Sequence, residues 1–382
     1  MKKRILYFMP DNPTVGKAGN LTRSLQLLDF LQKNIQNYEY VEFLSVGDWG
    51  EWTKEGIVNF QKKYPGINLH LINRKIGKSD FIKRLLLYKL PNFIPKLLRG
   101  TSVDITNYFF TKAVKKHFNS GKYDTIIMSY TSWGSLIEDL DYKPYLIIDT
   151  HDFMTAQNRK KKNKIGRLFQ SELNILRKFD EIWTLSIEEK FIYEQFTDCK
   201  VVYHPVLFAH RPFLKKEQFN YDIIYVASNN PHNISSINWF LKKVRPLISS
   251  YKIHIIGRIC KGISEDYPNV IKHGLVDDID EIYQNAKIAI CPMLSGTGVK
   301  IKVIEAMSYH LPVVTNTRGV DGLLNKTVNG CLVSDNETGF AHHIKLLMEN
   351  NEAYEKLRLE ASNYINQNHS LELENRLFAS LD

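Results

Sequence analysis

Short apolar runs and stretches of helical period alternate along nearly the whole chain. Apolar runs fall at residues 3–9, 40–46, 67–72, 124–130 and 145–148, the last leading into the polar cluster Asp149-Thr150-His151-Asp152. Further runs fall at 179–186, 221–226, 252–257, 270–272, 287–293 and 311–315. Between them lie helix-like segments; Leu21, Leu25, Leu28 and Leu31, for example, share one helical face. Strand-length runs separated by helices predict βα units, hence parallel doubly wound sheets. Around residues 199–220 the period lapses and Pro205 and Pro212 interrupt it, which predicts a connection between two domains, 1–204 and 205–360.

The most informative stretch is Lys287–Gly330. An apolar strand, KIAICPM, breaks on Ser295-Gly296-Thr297-Gly298, resumes as a helix-compatible run from Val299 to His310, and ends in a second strand, Leu311–Thr315. Strand, glycine loop, helix, strand is a βαβ unit. Small loop residues let a ligand approach the backbone. The first turn of a helix offers unpartnered N–H groups and the positive end of the dipole, and so favours an anion. Lys300 falls in that predicted turn, where a cation opposes the dipole by roughly 0.3–1 kcal/mol; a phosphate between it and the amides would account for it. The expected ligand is a diphosphate. Ile301 stands where a dinucleotide fingerprint needs its third glycine, and the Gly-Lys-Ser/Thr of a P-loop is absent.

Gly296-Thr297-Gly298, Glu305-Ala306-Met307, Pro312-Val313-Val314 and Gly319-Val320-Asp321-Gly322, taken with their spacing, resemble the carboxyl-half signature of glycosyltransferase family 4. Those are retaining enzymes of GT-B architecture. The resemblance implies two Rossmann-like domains facing a cleft, with residues 361–382 a C-terminal helix that returns to the first domain. Residues 1–204 would be the acceptor domain and 205–360 the nucleotide-sugar domain. It implies transfer of a sugar from a nucleotide-diphosphate donor to a glycan, lipid-linked or other hydroxyl acceptor, with retention, in polysaccharide or glycolipid assembly. A GT-B nucleotide-sugar epimerase and a non-catalytic nucleotide-sugar or lipid-surface binding module remain alternatives.

Several residues follow from pattern and resemblance together. The loop 11–20 carries Gly16 and Gly19 between the first strand and helix, at the carboxyl end of the predicted sheet, where such folds bind ligands; a plain turn is the alternative. His151 lies beside carboxylates at another strand end and is a candidate active-site group, although its neighbours also suit a capping cluster. The resemblance places a histidine there near the transferred sugar. Gly298 and Val299 N–H groups, with Gly296 and Thr297, would cradle the donor phosphates, Lys300 would add a charge-assisted bond, and Glu305 would bond the ribose. Thr297 stands where many members carry a glutamate, which leaves the donor sugar open. The Arg and Lys common after the first strand of the second domain are replaced by Ser228-Asn229-Asn230-Pro231-His232; Asn229 or His232 would contribute, with Arg258 supplying the cation. Lys302 reads as surface or structural. Asp139-Leu140-Asp141 and Asp278-Ile279-Asp280 read as solvated acids, and no cofactor or obligatory metal is expected for transfer.

Composition adjusts this picture at one place. Net charge is +10, and between Arg74 and Lys122 twelve Lys/Arg stand against two acids, interleaved with bulky apolar residues. That segment suits either an anionic membrane surface or an amphipathic helix with a basic outer face; the basic run Arg159–Arg167 reads as an extension of the membrane face, a contact for an anionic acceptor, or a solvated loop. No nucleic-acid motif accompanies the charge. The four cysteines are dispersed without a C-x-x-C, as in a reducing compartment. The first apolar run is too short for a signal peptide and stops at Pro10-Asp11. The expected location is cytoplasmic, or peripheral on the inner membrane face.

Overall fold

The computed structural model describes residues 1–15, 19–75, 102–159, 162–213 and 218–381. The chain divides into two units: Met1–His204 with Arg376–Asp382, and Pro205–Asn375.

In the first unit β1 (Arg4–Phe8), β2 (Tyr40–Val46), β3 (Asn68–Ile72), β4 (Thr125–Ser129), β5 (Tyr145–Asp149), β6 (Glu181–Thr184) and β7 (Lys200–Tyr203) form one sheet. Its order is β3-β2-β1-β4-β5-β6-β7, and the paired strands are parallel. Successive side chains of a strand face opposite sides. Leu6 and Phe8 therefore join one core, with Leu44, Ile126 and the helix residues Phe110, Val114 and Leu173. Ile5 and Tyr7 join the other, with Phe43, Ile127, Leu27, Leu28 and Phe60. The first core is covered by α3 (Tyr108–Gly121) and α4 (Ile165–Leu176), the second by α1 (Gly19–Lys33) and α2 (Lys54–Lys63). Burial of each such side chain contributes roughly 1.5–3 kcal/mol, and two covered faces explain why these strands are continuously apolar. A fifth helix, α5 (Ile187–Phe196), starts on Ser186, whose Oγ accepts from Glu189 N.

The chain end returns to this unit later than expected. Ala361, Tyr364 and Ile365 are buried in the core of the second unit, so the helix holding them stays there. The return begins at Arg376, where Phe378 places its ring 4.5 Å from Phe30 and 5.6 Å from Trp183.

The second unit is built alike. β8 (Tyr221–Val226), β9 (Ile253–Ile256), β10 (Val270–Gly274), β11 (Ala286–Cys291), β12 (Val313–Thr315) and β13 (Cys331–Val333) form a parallel sheet in the order β10-β9-β8-β11-β12-β13. Its helices are α6 (Pro231–Trp239), α7 (Ile279–Gln284), α8 (Ile301–Ser308), α9 (Glu337–Glu349) and α10 (Asn351–Asn368). Asn230 caps α6 through a 2.9 Å bond from Asn233 N, with Pro231 at the first helical position. The helical pattern through Val244 continues as one wider turn, Phe240–Val244, and a tight turn, Arg245–Ile248, because Pro246 supplies no N–H to an α-ladder. Asp278 is exposed, as expected of a solvated acid, and also caps α7: its carboxylate accepts from Glu281 N at 3.1 Å.

Both sheets reverse their strand order once, between β1 and β4 and between β8 and β11. In open parallel sheets, ligands bind at the carboxyl ends of the strands beside such a reversal.

Candidate functional site

In the second unit the loops after β8 and β11 flank the reversal, and side chains tie them together. His232 Nδ1 lies 2.7 Å from Ser295 Oγ, and Leu294 N donates to Ser236 Oγ at 3.0 Å. Asn316, just beyond β12, accepts from Met293 N at 3.0 Å. Gly296 and Gly298 have φ of +107° and +69°, a region that glycine enters without steric cost. A Cβ built on Gly296 would stand 3.8 Å from the His232 ring and 4.0 Å from Lys300 Cε. Gly296, His232 and Lys300 therefore border one spot at the carboxyl edge of the sheet.

The helix after this loop is shorter than its apolar pattern suggested. It starts at Ile301, and Lys300 sits just before it with φ −93° and ψ 86°. The left-handed Gly298 delays the start, and His310 at φ +61° ends the run. Gly298, Val299 and Lys300 thus lead into α8 instead of forming its first turn. Lys300 is 6% exposed, and its ammonium donates to the carbonyls of Thr297 and Gly298. Burial lowers its pKa, with the nearby Asp321 opposing the shift. An ammonium has three donors, so Lys300 both folds the loop back on itself and retains a donor.

The Gly319–Gly322 turn supports the loop from behind. Gly322 has φ +84°, and a Cβ there would meet Val299 Cγ2 at 2.3 Å. Glu305, in the second turn of α8, is half-buried and accepts from Tyr283 OH at 3.1 Å. Tyr283 stacks on Tyr309 at 4.8 Å and 14°, and the Arg211 guanidinium lies 3.7 Å over Tyr309. Lys302 is structural. Its ammonium reaches Asn233 Oδ1 at 2.6 Å and lies 5.2 Å over the Tyr225 ring, so it joins α8 to α6 and β8.

The two expected polar partners from the other loops stand differently. Asn229 is exposed, with its Oδ1 2.7 Å from the Cβ position of Gly262. It turns toward the segment after β9, whereas His232 takes the place beside the glycine loop. Arg258 is exposed at the start of that segment, directly after Gly257. Gly257 has φ +103° and packs on the Ala227 carbonyl, which brings the β9 exit to the β8 exit.

In the first unit, Gly16 lies outside the described residues and Gly19 opens α1. His151 follows β5 at the carboxyl edge. It is 5% exposed, has φ +57°, and stacks on Tyr130. Its Nε2 lies 3.1 Å from Ser129 Oγ and 3.8 Å from Asp149 Oδ2. Its Nδ1 is buried with no hydrogen-bond partner among the described residues. Burial lowers its pKa, against the pull of Asp149, and Arg23 adds to the lowering; a neutral imidazole is therefore favoured. Arg23 was missed in the sequence. It is fully buried, donates from Nε to Asp149 Oδ2 at 2.9 Å, and sits 2.7 Å from His204 Nδ1. The available signal was its place on the stripe of Leu27, Phe30 and Leu31, all buried in α1.

The basic segment 74–122 lies largely outside the described residues, which omit 76–101, as is part of the run 159–167. No helix among the described residues is long and apolar enough to cross a membrane.

Two parallel sheets, each with interleaved helices, and loop sites at the strand carboxyl ends give this chain the fold of GT-B glycosyltransferases. It is similar to sucrose-phosphate synthase from Thermosynechococcus elongatus (TM-score 0.68, 14% identity, 99% of this chain and 100% of that one). It is similar to Anabaena Alr3699/HepE in complex with UDP and glucose (TM-score 0.68, 12% identity, 99% and 98%), and to S. aureus TarM (TM-score 0.67, 13% identity, 100% and 99%). Residues 220–350 match the family model described as glycosyl transferases group 1, so the second unit carries a glycosyltransferase domain. A curated relative, the "Uncharacterized 44.6 kDa protein in cps region" of Klebsiella pneumoniae, is 26% identical over 183 residues. That match spans 44% of this chain and 46% of the relative.

Proposed function

We propose that this protein transfers a sugar from a nucleoside-diphosphate donor to an acceptor hydroxyl, with retention, in polysaccharide or glycolipid assembly. The observation that carries the reading is the glycine loop 295–298 at the strand reversal of the second sheet, with Lys300 bordering it and α8 behind it. Loop amides and a lysine are the groups that stabilise a diphosphate as a leaving group. Glu305, held by Tyr283, is an acceptor suited to a ribose hydroxyl. His151, neutral and strained at a strand end of the first unit, is assigned to the sugar and acceptor side of the reaction. The reading is supported by the complexes of HepE with UDP and with UDP-glucose. The cps region that houses the Klebsiella relative supports a polysaccharide context. Transfer is proposed to need no cofactor or metal, and contact with an anionic membrane through the basic segments of the first unit is part of the proposal.

The test is a thermal-shift screen of nucleotide sugars, followed by product analysis of the stabilising donor with and without acceptor. A glycosylated acceptor with the donor's anomeric configuration supports the reading. An isomerised nucleotide sugar without acceptor would show an epimerase, and binding without turnover would show a binding module.

A further inference from the structure

A second cluster lies away from the strand carboxyl ends, on the face of the first sheet that α3 covers. Glu42 projects from the beginning of β2, His70 from edge strand β3 and His117 from α3. One ligand atom from each lies within 4.8 Å of the others. We propose that these three side chains bind a divalent metal ion of the zinc type, which clips β3 and α3 to β2.

Three observations point to a cation. First, the Glu42 side chain is only 4% exposed, and an ionised carboxylate removed from water needs compensating charge. Among the described residues no lysine or arginine forms an ion pair with it. Its neighbours are two phenols and the His117 imidazole, whose charge is not permanent. Second, the carboxylate is already oriented. Tyr40 and Tyr123 hydroxyls donate to Oε2 at 2.8 and 2.9 Å, while Oε1 is hydrogen-bonded to His117 Nε2. The tyrosine bonds fix Oε2, and the proton held between Oε1 and His117 Nε2 is the one a metal ion would displace on binding. Third, the His70 and His117 rings stack with centroids 4.1 Å apart and 19° between planes. Two imidazolium ions in that arrangement repel, so at least one ring offers a lone pair.

Two imidazoles and a carboxylate suit zinc and neighbouring transition metals, and not the oxygen-seeking calcium or magnesium. A tetrahedral zinc sets its ligand atoms about 3.3 Å apart, from bonds of about 2.0–2.1 Å. The present ligand atoms lie within 4.8 Å of one another, and a metal between them would part the hydrogen-bonded Oε1 and His117 Nε2 to that spacing. His70 is exposed, which leaves the outward position to water. Since Glu42 stands near the amino end of its strand, the site is structural and separate from transfer.

The experiment uses tag-free full-length protein stripped with EDTA, titrated with Co²⁺ and then Zn²⁺, alongside His70→Ala and His117→Gln. The wild type should develop the visible absorption of tetrahedral Co²⁺ to a one-to-one end point, lose it to Zn²⁺, and gain melting temperature. His70→Ala, at an exposed position, should keep the metal-free melting temperature and lose affinity by about tenfold or more. No saturable binding by the wild type, or wild-type affinity in both variants, overturns the proposal.

Discussion

The Tyr130 ring lies 4.4 Å from that of His151, inclined by 27°, and both residues have positive φ, +66° and +57°. The two follow neighbouring strands, β4 and β5. Non-glycine residues in this region cost about 1–3 kcal/mol each and persist where the surroundings impose them. Here the imposing contacts are the stack itself and the Ser129 bond to His151.

Replacing His151 separates strain from chemistry. Alanine and glycine at 151 lose the same ring contacts, but glycine accepts φ +57° without the Cβ penalty. His151→Gly should therefore be more stable than His151→Ala by about 1 kcal/mol, and neither should transfer sugar. Urea melts and a transfer assay check both parts. An alanine variant as stable as the glycine one would show that the backbone relaxes.

Gly322 tests the support of the glycine loop. A methyl group there meets Val299 at 2.3 Å on a backbone already at φ +84°. Gly322→Ala should lower stability by about 1–3 kcal/mol and weaken donor binding by moving Val299, the residue before Lys300. Thermal melts with and without nucleotide sugar read both effects. An unchanged melt would mean that the turn moves aside.

His369 predicts a pH dependence in the second unit. It is buried, its Nδ1 lies 2.8 Å from the Val206 carbonyl, and burial pushes its pKa down from 6.5 to about 4. The unfolded chain takes up this proton below pH 6.5, whereas the folded protein does so only near pH 4. The group's contribution is thus full above pH 6.5 and is lost as pH falls to about 4. The loss amounts to about 3 kcal/mol. His369→Asn, whose amide can still donate to Val206, should flatten that part of the stability profile in denaturant melts. A parallel profile would place the slope in other groups.

Much of this architecture was legible because the strands are covered on both faces. Tyr40–Val46 and Tyr221–Val226 stand in the structure where their apolar runs end in the sequence. β13 was not legible: Cys331–Val333 is three residues long, only partly buried, and follows a glycine turn. The start of α8 was misplaced because apolar period does not register the left-handed Gly298. Within the candidate sites, Lys300 and Gly296 were visible from motif and spacing. The pairing of Arg23 with Asp149 was not, because the partners are 126 residues apart and only the sheet order brings them together. His232 displaced Asn229 beside the loop because Asn229 turns toward Gly262, a contact made by residues from a different strand exit.

Isothermal titration of a nucleoside diphosphate tests the central claim most directly, since it isolates the leaving group from sugar and acceptor. Titrations of UDP are compared for wild type, Lys300→Ala and Glu305→Ala. Loss of a charge-assisted bond of about 1.5–3 kcal/mol should weaken binding by Lys300→Ala roughly tenfold to a hundredfold, and Glu305→Ala should also bind less tightly. Equal affinity in all three proteins would contradict a diphosphate site at the glycine loop.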